Sequence, residues 1–202
     1  MLTKSEKTKE QIKQVFVELM KEKGFEHIKV TDIARKAHIN RGTFYLHYID
    51  KFDLLNQLEM EIINQIKTIL DSGMNELFAP HNHTEDNQMN DPAYLVTEKV
   101  LEYLYTEADF ITVIISDKGD PHFLNQAKEL FRDIVNMELL KQKGTDTYLA
   151  GIPQDYAEEI FLGGIINIIV HWLRKGTPES PKAIAELITL TRHMTPVDIL
   201  EL

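Results

Sequence analysis

Cysteine is absent from the sequence, which excludes disulfides, thiolate metal sites and cysteine nucleophiles and is compatible with a reducing cytosol. No stretch offers the roughly eighteen consecutive apolar residues of a membrane-spanning helix. Lys4, Glu6, Lys7, Lys9, Glu10 and Lys13 near the start are foreign to a signal peptide. A soluble cytoplasmic protein with no membrane contact is therefore expected. The chain also lacks a Gly-rich phosphate loop and a nucleophile elbow, and none of its four serines sits in a catalytic pattern. His81, His83, Glu85 and Asp86 come nearest to a set of metal ligands. They fall in 79–90, however, a segment without periodicity that reads as a polar exposed loop with incidental histidines. Enzymatic activity, a bound metal and a cofactor are all unexpected.

Against these absences stands ample apolar material for a core, since 43% of the 202 residues are hydrophobic. The net charge of −10 is unevenly spread. Residues 1–54 carry 11 Lys+Arg against 8 Asp+Glu, and the remainder carries 11 against 24. A mildly basic start joined to an acidic body suits a chain whose first part meets a polyanion, because the polyanion repels the body and orients the basic end.

Helical periodicity dominates, so the fold class is all-α. Ile12, Val15, Phe16, Leu19 and Met20 repeat at i, i+3, i+4, i+7 and i+8, which predicts a helix over 5–23 with Lys4, Lys7, Lys9 and Lys13 on its other side. Gly24 suits a left-handed cap. Leu54, Leu55, Leu58, Ile62, Ile66, Ile69 and Leu70 predict a long helix from Lys51 to about Phe78. An N-cap residue followed by proline marks further starts at Asp91-Pro92, Asp120-Pro121 and Ser180-Pro181. Helices are expected over 92–106, 110–115, 121–143, 153–175 and 181–193.

The stretch 31–51 carries the chemistry. Ile33, Ala34 and Ala37 give a first short helix a face of mostly small apolar residues, with Thr31 as its expected N-cap. His38-Ile39-Asn40 is long enough only for a turn. Histidine accepts positive φ there at a cost of about 1 kcal/mol relative to glycine, and Asn40 is placed to cap a second helix. That helix is expected to bury Phe44 and Tyr48 and to turn Arg41, Thr43, Tyr45 and His47 outward. A cation, a hydroxyl, a phenol and an imidazole together fit base edges and phosphate oxygens. Gly42 weakens the helix but permits close approach of its backbone to another surface, such as a phosphate. The pattern reads as a helix-turn-helix whose second helix enters a DNA major groove.

Gly24-Phe25, Val30-Thr-Asp-Ile-Ala34, Ala37-His-Ile-Asn-Arg-Gly-Thr-Phe-Tyr-Leu-His-Tyr48 and Lys51-Phe-Asp-Leu-Leu55 strongly resemble the DNA-binding domain of the tetracycline-repressor (TetR) family. The resemblance covers roughly residues 6–60 and departs at two places. His38 stands where family members commonly have glycine, and Phe52 where an acidic residue is usual. It implies a DNA-binding domain over 1–60 and a ligand-binding and dimerisation domain over 61–202, joined by the long helix as transmitter. It also implies DNA contacts from Thr31, Arg41, Gly42, Thr43, Tyr45, His47 and Lys51. Arg41, Thr43 and Tyr45 would face bases or flanking phosphates, while Thr31, His47 and Lys51 would clamp the backbone.

The helix 153–175 repeats Ala157, Ile160, Phe161, Gly164, Ile165, Ile168 and Trp172 around a Gly163-Gly164 pair. It is apolar on more than one side and open to a close neighbour, either within its own monomer or in another copy. In the resembling family the last two helices pair with their symmetry mates. That assigns Ile160, Phe161, Gly164, Ile168, Ile184, Leu187 and Ile188 to a homodimer interface. A two-fold dimer fits a palindromic double-stranded operator with half-sites roughly 34–36 Å apart. Tyr103, Phe110, Phe123, Phe131 and Trp172 either line a pocket for a small lipophilic or aromatic effector or simply pack the core. The resemblance thus implies a dimeric, ligand-responsive regulator, most often a repressor. The alternative is a regulator of the same fold without a small-molecule effector, controlled by a protein partner or architectural.

Overall fold

The computed structural model describes residues 3–77, 92–144 and 152–191, and among these all regular structure is helical. His81, His83, Glu85 and Asp86 lie outside the described residues. The order is α1 (Lys4–Lys23), a 3-10 turn (Phe25–His27), α2 (Val30–Lys36), α3 (Arg41–Tyr45), α4 (Lys51–Leu77), α5 (Pro92–Thr106), α6 (Ala108–Ile114), α7 (Phe123–Lys143), α8 (Gln154–Arg174) and α9 (Pro181–Thr191). Two compact units result: Met1–Asn64 together with Asp109–Asn125, and Gln65–Ala108 together with Gln126–Leu202. The expected boundary at 60 falls near the end of the first piece. The inclusion of Asp109–Asn125 in the first unit has no counterpart in the sequence reading.

In the first unit α1 opens with a reciprocal cap, Thr3 Oγ1 accepting from Glu6 N–H and Glu6 Oε2 accepting from Thr3 N–H. Its predicted stripe, Ile12, Val15, Phe16, Leu19 and Met20, is buried throughout. Gly24 ends the helix at φ 76° and ψ 155°, a region essentially confined to glycine and distinct from the left-handed helical cap expected there. That conformation lets Phe25 N–H donate to Lys118 O at 3.0 Å, while Lys118 Nζ donates to Lys21 O at 2.7 Å. Lys21 also pairs with Asp109. The segment 109–125 is thus fastened to the end of α1.

Two helix starts differ from expectation. Lys29 N–H donates to Asp32 Oδ2 at 3.1 Å, so α2 begins at Val30 with Lys29 as N-cap, and Thr31 stands in the first turn rather than capping it. At 120–121 the proline signature yields a turn instead of a helix: Asp120 Oδ1 accepts from His122 N–H at 2.8 Å, and α7 starts only at Phe123. The other two proline starts, at Pro92 and Pro181, open α5 and α9.

In the second unit α9 packs against α5 and α8. Ile184 and Ile188 are buried there. Trp172 stacks on Tyr105 with ring centroids 6.2 Å apart, and its Nε1 donates to Glu179 O at 3.0 Å, closing the chain behind α8.

A buried acid marks the first unit. Glu59 of α4 is 3% exposed, its Oε1 has no hydrogen-bond partner, and Asp120 is set against it. Burial first, then the charge and hydrogen bonding of Asp120, push the Glu59 carboxyl from 4.5 up to about 7. A raised folded-state pKa means that the folded protein holds this proton more tightly than the unfolded chain does. The contribution of Glu59 to stability is therefore complete below 4.5 and is lost as pH rises through about 7. Glu59→Gln keeps the uncharged shape, so it should melt higher than the parent at pH 8 and lose part of the parent's decline between about pH 5 and pH 7. Thermal melts across that range measure the difference, and superimposable pH profiles would contradict the assignment.

Candidate nucleic-acid interface

The geometry of the helix-turn-helix starts from its turn. His38 adopts φ 52°, as its position requires, and Ile39 N–H donates to Ala34 O at 3.0 Å. Gln11 Nε2 of α1 reaches across to Ala37 O at 2.8 Å, satisfying a carbonyl at the end of α2 that the helix itself leaves open. Asn40 Oδ1 then accepts from Gly42 N–H at 2.9 Å and caps α3. Phe44 and Tyr48 are buried with their rings 5.6 Å apart. Burial, followed by the charges of Glu61, Asp53 and Glu10, pushes the Tyr48 phenol up to about 12, so it serves as a neutral core residue.

The outward row differs from the one expected. Arg41 and Tyr45 face outward, the guanidinium donating to the phenol oxygen at 3.3 Å and lying 5.9 Å from the ring centroid. Thr43 and His47 are half-buried beside the core face, whereas Gly42, Leu46 and Ile49 are exposed, Leu46 by 81% and Ile49 by 80%. The physical reason is the turn of the chain. Positions 41, 43 and 45 alternate as on a strand, but a helix advances about 100° per residue, which brings 42, 45 and 46 round on the side of 41 and leaves 43 and 44 on the other, while Ile49 follows the end of α3. The outward leucine and isoleucine were the residues missed; their signal was the i, i+4 relation of Leu46 to Gly42.

Thr31 is exposed on the first turn of α2. Lys51 has a task the sequence did not reveal. Its Nζ donates to Phe25 O at 3.0 Å and Glu26 O at 2.9 Å, and sits 4.6 Å from the Phe25 ring and 5.1 Å from the Phe52 ring. One of its three N–H groups is left over. Phe52, the departure from the family pattern, supplies one wall of this aromatic cradle.

Several cations of the first unit are neutralised at home. Lys23 meets Asp32 at 2.6 Å, and Lys36 meets Glu18 at 3.1 Å as well as Glu22. The Lys23 contact is the main cause holding the Asp32 carboxyl below its usual range. Among the described residues no ion pair engages Lys4, Lys7, Lys9 or Arg41, all exposed.

The candidate ligand residues fall in both units. Phe110 and Phe123 are buried in the first unit, and Tyr103, Phe131 and Trp172 belong to the second. Trp172 is committed to its stack and its hydrogen bond. The interface candidates also separate. Ile160 is 70% exposed and Leu187 42%, Ile168 is half-buried, and a Cβ on Gly164 would meet nothing within 4 Å. The side chain of Phe161 lies outside the described residues. Ile184 and Ile188 are 5% and 1% exposed, covered within their own chain, where α9 packs against α5 and α8. Leu190, absent from the expected set, is 49% exposed.

Comparison with known proteins agrees with this architecture. Residues 16–58 match the family model described as bacterial regulatory proteins, tetR family, and residues 91–193 match one described as transcriptional regulator C-terminal region. An uncharacterized HTH-type transcriptional regulator of Bacillus subtilis (strain 168), YxbF, is 25% identical over 183 residues. That alignment takes in 91% of this chain and 44% of the relative, so the chain spans under half the length of the curated relative it matches. Among solved structures, NalD of Pseudomonas aeruginosa, the secondary repressor of the MexAB-OprM multidrug efflux pump, superposes with a TM-score of 0.63 at 20% identity, over 93% of this chain and 94% of that one. FadR of Bacillus subtilis, solved in complex with stearoyl-CoA, superposes with a TM-score of 0.60 at 19% identity, over 90% and 95%. With a matched helix-turn-helix and a matched C-terminal region covering half its length, the chain belongs to the TetR family of bacterial transcriptional regulators.

Proposed function

We propose that the chain works as a homodimeric repressor at a palindromic operator, its DNA affinity set by a small lipophilic or aromatic effector. The observation that carries the DNA-reading part is the exposed row of α3, where a cap, a glycine and the Arg41–Tyr45 pair leave a cation and a phenol free to face base edges. On this reading Thr31, Thr43 and His47 contact phosphates at the margins, and the remaining N–H of Lys51 contacts another. Gly42 allows the backbone to come close.

Dimerisation is supported by α8 and α9. By length and composition alone α8 is apolar enough to cross a membrane. Ile160, open Gly164, Leu187 and Leu190 provide an outward apolar surface that a second copy would cover. The effector reading rests on the aromatic content of the second unit and on the acyl-CoA held by the FadR neighbour. A soluble, cytoplasmic regulator without enzymatic activity is the corresponding setting.

Selection from a random duplex pool tests the whole reading: the purified protein should enrich a two-fold symmetric sequence, and recovery of none would end it. On the enriched duplex, Tyr45→Ala should cost about 1 to 3 kcal/mol and relax discrimination at one position. Lys51→Ala should weaken all duplexes alike and also lower the melting temperature, because the part-buried Phe25 carbonyl loses its donor at a cost of about 1 kcal/mol. An unchanged melting temperature in that variant would leave Lys51 without its structural task. Ile160→Glu, at an exposed position, should sediment as a folded monomer with reduced operator affinity. If it remains a dimer, α8 is not the interface. Stearoyl-CoA and a lipophilic compound library provide the effector test, since any ligand of the native state raises the melting temperature.

A further inference from the structure

We infer that Leu46 is a specificity-determining residue that reads thymine through its C5-methyl group in the major groove. The inference rests on α3 lying in that groove as proposed above. Leu46 is a large aliphatic side chain, 81% exposed, at the C-cap of the short helix that carries Arg41 and Tyr45. The core face of α3 is already filled by Phe44 and Tyr48. Leu46 points away from it by the helical turn argued above and is left exposed, so folding of the unit does not account for it.

The surroundings select the occupant. Leucine has no donor or acceptor and gains nothing from a phosphate oxygen. In the major groove the apolar group offered by a base edge is the methyl of thymine, since guanine, cytosine and adenine offer only acceptors and donors there. Leu46 follows Gly42 by one helical turn on the same face, and the only neighbour within 4 Å of a Cβ built at Gly42 is Asn40 Oδ1, at 3.7 Å. No side chain at 42 holds the helix off the groove floor, so the isobutyl group of Leu46 becomes the most projecting part of that row. Beside it, Arg41 and Tyr45 present polar groups for adjacent base edges. The helix therefore reads a mixed sequence, polar contacts on one row and a thymine on the other.

The test uses the full chain and the duplex it enriches from a random pool. Each thymine in one half-site is replaced in turn by deoxyuracil, which removes the methyl group and leaves every hydrogen-bonding group in place. At one or two positions the parent protein should lose about fourfold in affinity, the ratio that burying a single methyl group delivers. Leu46→Ala, an exposed change whose melt should match the parent, should bind thymine and deoxyuracil duplexes equally while keeping the parent's salt dependence. Full retention of the methyl effect in Leu46→Ala, or its absence in the parent, overturns the assignment. A weaker Leu46→Ala with no deoxyuracil effect anywhere places the leucine on sugar instead, and a lower oligomeric state in that variant places it on a second copy; either result also overturns it. Enrichment of no duplex removes the groove reading itself, and is distinguishable because it appears before any methyl is deleted.

Discussion

The first unit depends on the turn at Phe25. Its ring packs edge-on against Phe16 of α1 and Phe52 of α4 at 6.2 and 5.2 Å, its N–H is held by the Lys118 carbonyl, and its own carbonyl receives the Lys51 ammonium. One residue thereby joins the end of α1, the start of α4 and the segment that follows α6. The arrangement is possible only because Gly24 takes a backbone conformation that a side chain would penalise. The part-buried Phe25 carbonyl, left without its donor, would cost about 1 kcal/mol, so the turn and the ammonium support each other.

Much of this was legible in the sequence where burial alone decides. The stripe of α1 and the Phe44/Tyr48 pair follow from helical spacing, and His38 and Asn40 follow from the limited ways of closing a short turn. Legibility failed where a polar partner distant in sequence decides. The start of α2 is an exception, since there the partner is local: Asp32, three residues on, captures the Lys29 N–H and moves the start ahead of Thr31. Lys51 turns inward to carbonyls about 25 residues earlier, and Asp109–Asn125 joins a unit far from it in sequence through Lys118 and Asp109. Local propensity is blind to such contacts because both partners are individually ordinary surface residues.

The outward surface of α3 failed for a different reason. The polar residues Thr43 and His47 were credited with exposure because of their chemistry, and the apolar Leu46 was not, although angle rather than polarity decides which side of a helix a residue occupies. The same holds on α9, where Ile184 and Ile188 have interface chemistry but are buried within their own chain, while Leu187 and Leu190 are left outward. In both places the informative residues are those whose chemistry and exposure disagree.

Charge explains why two copies matter on the proposed reading. Lys21, Lys23 and Lys36 are held by acids of their own unit, so the basic excess of residues 1–54 overstates what can meet phosphate. Arg35 also meets Asp32, and Lys51 is turned to two carbonyls, whereas exposed Lys4, Lys7, Lys9, Lys29 and Arg41 enter no ion pair among the described residues. With each phosphate contact contributing a slope of about −0.9 in log affinity against log salt, so few free cations would make the hold of one copy strongly salt-dependent. Covering the apolar faces of α8 and α9 with a second copy doubles the cations and the read half-sites without adding one residue to the head. The acidic remainder of the chain would then repel DNA everywhere except at those two heads, so pairing turns a modest electrostatic preference into an oriented one.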